Sequence, residues 1–169
     1  LQDEVMATCR LGVIYCGRGN FELARDLYQS LIDRLKAERR KARGKRLSQV
    51  KAHLARLYTF LGQTYFGQCH YEKAKDEFMH ALALVPKRAL RALASASAED
   101  TIGPALAGSH YLPRLFRNLS IIDDSAGRYK EALKHIEKAI GASRLLQDAS
   151  EHARNLVTHG TISQHLGEY

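Results

Sequence analysis

Four stretches of this chain are variations on one pattern, and a chain that repeats a short unit has few folds open to it. Leu61-Gly62, Tyr65, Tyr71, Ala74 and Phe78 fall without a gap on Leu11-Gly12, Tyr15, Phe21, Ala24 and Tyr28, every pair offset by 50 residues. A third copy keeps Phe116, Leu119, Ser120, Tyr129, Ala132, Ile136 and Ala139 at an offset of 58 from the second. A fourth sets Leu156, Gly160 and Tyr169 a further 40 residues on, with the last of these at the end of the sequence. Within a copy the large residues recur at three- and four-residue steps, the spacing of one helix face, and a small residue opens room for a second helix to come close. Tyr58, Leu61, Gly62 and Tyr65 make such a stripe; Gln68-Cys69-His70 breaks it; Tyr71, Ala74, Phe78, Ala81 and Leu82 resume it until Pro86. Each copy is therefore a helix pair, and a lone pair cannot bury both its faces, so successive pairs must stack.

Composition agrees with helices. Apolar residues make up 45% and charged residues 26% of 169, enough to fill a core, while prolines number only three. No apolar run reaches the length of a membrane span, and Leu1-Gln2-Asp3-Glu4 lacks the basic and apolar parts of a signal peptide, so the expected setting is soluble and intracellular, in the cytoplasm, with cytoskeletal or nuclear association left open. Three cysteines, Cys9, Cys16 and Cys69, are an odd number without metal-ligand spacing, which predicts reduced structural thiols.

The order of large residue, Leu-Gly, Tyr, Tyr or Phe, Ala, Phe, Ala and a late Pro in Tyr58, Leu61-Gly62, Tyr65, Tyr71, Ala74, Phe78, Ala81 and Pro86 resembles the tetratricopeptide repeat family. The other copies depart at Thr8, Asp123, His159 and Ser163. The 40-residue step to the last copy, and the stretch from Ala132 to Leu156, are similar to the longer-helix repeats of kinesin light chains and Pins-type adaptors. The resemblance implies an all-α right-handed solenoid of stacked antiparallel helix pairs. Its expected divisions are repeat 1 over 5–38, a basic linker or helix extension over 39–54, repeat 2 over 55–86, an Ala/Ser/Gly-rich insertion over 87–112, repeat 3 over 113–146 and a truncated repeat 4 over 153–169.

It also implies a non-enzymatic scaffold, part of a larger chain or assembly, that takes a partner peptide or helix in a concave groove lined by the first helix of each pair. Carried over position by position, the groove residues are Arg10, Arg56, Phe60, Gln63, Arg114, Arg117, Asn118, Arg154 and Thr158, with Met6, Val13, Ile121 and Thr161 beside them. Five arginines on one surface favour an acidic peptide, since the guanidinium forks onto carboxylates. Asn118 matches an asparagine with which similar adaptors hydrogen-bond a peptide backbone. A chaperone-type carboxylate clamp is disfavoured, because Cys9 and Val13 stand where it needs Lys and Asn.

A net charge of +8 is concentrated. Arg34, Lys36, Arg39, Arg40, Lys41, Arg43, Lys45 and Arg46 face one acid, Glu38, within thirteen residues, which leaves about +1 over the other 156. Apolar residues thin out there, so the second helix of copy one is expected to outrun its core up to Gly44. Such a run is either a solvated helix end or a contact for a polyanion such as RNA, an anionic lipid or an acidic tubulin tail. Lys87 to Ala96 has helical composition, and Thr101 to His110 reads as a loop. Eight histidines lack the spacing that sets two on one helix face with a carboxylate, and no nucleophile or phosphate-loop signature is present, so no catalytic residue, metal or cofactor is expected.

Overall fold

The computed structural model describes residues 1–95 and 109–167, and every regular element among them is a helix. The helices are α1 (Gln2–Gly17), α2 (Phe21–Lys41), α3 (Gly44–Gly67), α4 (Tyr71–Leu84), α5 (Lys87–Ser95), α6 (Leu112–Ser125), α7 (Tyr129–Leu145) and α8 (Ala149–Leu166). They form two compact units, Leu1–Val85 and Pro86–Tyr169. In the first, α1 packs on α2 and α3 on α4, with α2 against α3 and α1 beside α3; in the second, α6 pairs with α7, α7 with α8, and α6 lies beside α8, while α5 rests on α7. The architecture is that of an α-solenoid of tetratricopeptide-like pairs.

The turns repeat as faithfully as the helices. Asn20, His70 and Arg128 each donate a backbone N–H to the carbonyl five residues back, on Tyr15, Tyr65 and Asp123, at 2.9, 3.0 and 2.8 Å. The residue before each donor takes the left-handed conformation: Gly19 at φ +78°, Cys69 at +59°, Gly127 at +72°. This is the usual close of a helix, and glycine adopts it without a Cβ penalty. Copy two places a side chain there, as the α7–α8 turn does with Gln147 at φ +54°. Cys69→Gly should therefore raise stability by about 1 kcal/mol, read as a higher urea midpoint at unchanged slope; an equal or lower midpoint would show that the exposed cysteine is unstrained.

Close helix contact depends on the small residues of the repeat. A Cβ on Gly12 would overlap Tyr28 Oη, and one on Gly62 would sit 2.6 Å from Phe78 Cε1, so each glycine lies directly beneath the aromatic ring of the paired helix. Tyr28 and Phe78 are buried, and Tyr28 donates its hydroxyl to the Cys9 carbonyl at 3.3 Å. Burial holds the Tyr28 phenol well above its ordinary value and raises the Cys9 thiol to about 11, so Cys9 stays protonated at neutral pH. All three cysteines are free thiols.

Two features differ from the sequence-based expectation. Of the two alternatives for 39–54, linker or helix extension, the stretch is helical: α2 continues to Lys41, two residues break the helix, and α3 begins at Gly44. Apolar residues do follow the chain through it. Leu35, Ala42, Val50 and Leu54 are buried in the core, with Leu47 packed against them, so the basic run covers a packed α2–α3 corner and does not project beyond its core. The second difference is Asp123, which stands where copies one and two carry Tyr15 and Tyr65 and copy four Ser163. It is buried, accepts Arg128 Nε and Nη2 at 3.0 and 2.7 Å on one oxygen and meets His135 Nδ1 at 2.8 Å on the other. An ion-paired network replaces the aromatic contact at this position. The expected helix from Lys87 is α5; the expected loop falls largely on 96–108, outside the described residues.

Candidate functional site

Arg114 and Arg117 are three apart on α6, which sets them on one face. Opposite them, α8 is capped by Asp148, whose carboxylate accepts the backbone N–H of Glu151 at 3.0 Å. That cap places Glu151 in the first turn, where the positive end of the helix favours a carboxylate. The Glu151 side chain, 7% exposed, receives Arg114 Nη2 at 2.9 Å and Arg117 Nη1 at 2.5 Å, and Arg154 Nη1 lies 3.6 Å away. Arg117 also reaches Asn155 Oδ1 at 3.5 Å, while Asn155 Nδ2, fully buried, donates to the Ala139 carbonyl at 2.9 Å. Three guanidinium groups thus share one carboxylate, leaving the cluster two positive charges in surplus.

This arrangement sorts the expected groove residues. Arg117 is 13% exposed and its donors are engaged in joining α6 to α8, so its first role is structural. Arg114 and Arg154 keep 38% and 60% of their side chains in water and still present donors to a ligand. Asn118 is 7% exposed, yet among the described residues its amide has no hydrogen-bond partner. No fully enclosed side-chain nitrogen or oxygen among the described residues lacks a partner, so this amide is held in the protein surface and open to an incoming group. Thr158 turns its hydroxyl back to the Arg154 carbonyl at 3.1 Å, Ile121 is half-buried, and Thr161 is exposed with its hydroxyl on the Val157 carbonyl. Glu151 and Asn155 escaped sequence reasoning; the Asp-x-x-Glu spacing at Asp148 and Glu151, a capping-box signature, was the available signal.

In the first unit the expected residues divide differently. Arg10 and Val13 are exposed on α1 and Gln63 is half-buried on α3. Arg56 Nη1 contacts Met6 Sδ at 2.6 Å, a pair of equivalent positions from adjacent copies that places α1 and α3 in register. Phe60 packs against the core with its ring 6.0 Å from that of Tyr28, so it is mainly a packing residue.

The basic residues surround the corner where α2 ends and α3 begins. Arg34 is paired with Glu4, whose hydrogen bond to that guanidinium holds its carboxyl below the usual range. Arg46 is paired with Glu38 at 2.5 Å, and Arg43 Nη1 donates to the carbonyls of Arg40 and Ala42. Lys36 lies 3.6 Å from Asp33 and over the Tyr58 ring; burial works against its charge, but Tyr58 and Asp33 outweigh that and lift the ammonium above its usual value. Arg39, Arg40, Lys41 and Lys45 are exposed and have no acidic partner among the described residues.

Comparison with protein families matches residues 55–88 to the tetratricopeptide repeat. The matched segment takes in the second half of α3, all of α4 and the first two residues of α5. Comparison with curated proteins and with solved structures gives no match. Among the described residues no helix is long and apolar enough to cross a membrane.

Proposed function

We propose that this chain is a non-enzymatic protein-interaction scaffold whose α6–α8 face receives an acidic peptide segment. Tetratricopeptide repeats typically bind other proteins, and the match at residues 55–88 supports the general class. The observation that carries the specific reading is Asn118, an almost enclosed amide without a partner, on the helix whose Arg114 also faces the surplus positive charge around Glu151. An amide supplies a donor and an acceptor together, which suits a peptide backbone, while the free arms of Arg114 and Arg154 suit carboxylates. The lengths of α2, α3, α7 and α8, at 21, 24, 17 and 18 residues, support the likeness to long-helix adaptor repeats.

The test is an array of immobilised short peptides of varied charge, probed with the wild-type chain and with Asn118→Ala/Arg154→Ala, a variant that leaves Glu151 held by Arg114 and Arg117. Acidic peptides should dominate wild-type capture, and the variant should lose about thirtyfold or more in affinity, the equivalent of one charged and one neutral hydrogen bond. Undiminished capture by the variant, or a preference for basic peptides, would overturn the reading.

A further inference from the structure

We propose that the α2–α3 corner holds a second site, one that binds a compact anion carrying two or more clustered phosphate groups. A cavity of about 560 Å³ opens there, lined by Lys36, Arg39, Arg40, Leu47 and Lys51. Four of these five described lining residues are cations. Arg39, Arg40 and Lys51 have no acidic partner among the described residues, and the one acid inside the basic run, Glu38, is occupied by Arg46. Among the described residues only Lys36 of these four lies near an acid, Asp33 at 3.6 Å; like charges crowded around one hollow with so little neutralisation repel one another, and a dense counter-anion relieves that.

The shape of the site selects among anions. Its volume is that of a small-molecule pocket, which lies at roughly 300–1,000 Å³, and two arginines offer forked donors to phosphate oxygens beside two lysine point charges. Among the described residues no aromatic side chain lines it, so they offer no stacking platform of the kind with which proteins hold single-stranded nucleic acid. Carboxylates spaced along a peptide deliver one charge each over several ångströms, whereas phosphates on one small framework deliver several within the cavity. Among the described residues Leu47 is the only apolar one in the lining, and it gives such a framework a place to rest. The phosphates belong either to a free polyphosphorylated molecule or to a lipid headgroup of the same chemistry.

Calorimetric titration of the whole chain with tripolyphosphate at physiological ionic strength tests this. Wild type should bind saturably, and Arg39→Ala/Arg40→Ala should weaken binding about tenfold or more with an unchanged helical spectrum. A charge-matched control, Arg18→Ala/Lys130→Ala, removes two exposed cations elsewhere and should bind within about twofold of wild type. Co-sedimentation with phosphatidylcholine vesicles containing a bisphosphorylated phosphoinositide separates the sources: sedimentation that needs Arg39 and Arg40 supports a headgroup, and its absence alongside soluble binding supports a free ligand. Three results overturn the site: no binding of tripolyphosphate, an equal loss in the control, or tighter binding of an oligoribonucleotide or oligoglutamate of equal charge. Because the α6–α8 face is unaltered in these variants, the peptide array reads the scaffold function independently.

Discussion

Replacing Glu151 with alanine should destabilise the second unit by about 3–5 kcal/mol, the range for removing one partner of a buried ion pair. The cost is set by what the mutation strands. Arg114 and Arg154 keep 38% and 60% of their side chains in water and can return to it, but Arg117, at 13%, would retain its charge in a nearly closed site with only Asn155 Oδ1 at 3.5 Å to face. Arg154→Ala, which deletes an exposed pair at 3.6 Å, should by contrast change stability by less than about 1 kcal/mol. Combining Glu151→Met with Arg117→Met should recover much of the loss, since two apolar side chains of similar length remove the stranded charge. Urea unfolding followed by circular dichroism gives the magnitudes, and hydrogen exchange along α8 gives their location. A cost for Glu151→Ala no greater than that of Arg154→Ala would mean that the carboxylate does not hold α6 to α8.

The contrast between these arginines shows what was legible in the sequence. Helix pairing was, because it depends on spacing alone: Leu61-Gly62, Ala74 and Phe78 specify which faces meet whatever surrounds them. The position of each arginine on the first helix was equally readable, and the structure puts Arg114, Arg117 and Arg154 around one point. The pairing of Arg114 and Arg117 was not, because it depends on a residue 34 to 37 positions away on another helix. The same limit explains the basic run. Charges at the helix surface hid Leu35, Ala42, Leu47 and Val50, which are sparse in sequence but converge once α2 and α3 fold against each other. Asp123 breaks the repeat pattern by residue type, and Arg128 and His135 beside it account for the exchange.

One substitution, glycine to alanine, should have opposite signs at equivalent positions of two copies. At Gly62 the added methyl meets Phe78 Cε1 at 2.6 Å and Cδ1 at 2.8 Å, and Phe78 has no exposed surface through which to retreat. Gly62→Ala should cost about 1–3 kcal/mol, the usual penalty for forcing atoms into a packed core. Phe78→Ala should cost about 3–5 kcal/mol through lost burial and the cavity left behind. Both changes act on the same small volume, so the double variant should be less unstable than the sum of the two, with the new methyl standing in the vacated space. At Gly160 an added methyl would have no neighbour within 4 Å, and the residue is exposed in the interior of α8. There Gly160→Ala should stabilise by about 0.5–1 kcal/mol, because alanine loses less backbone entropy in a helix. Denaturant midpoints of the four variants decide the matter. Strict additivity at Gly62 and Phe78, or the same sign at Gly62 and Gly160, would mean that the ring does not rest on the glycine and that close approach at this position is not what holds each pair together.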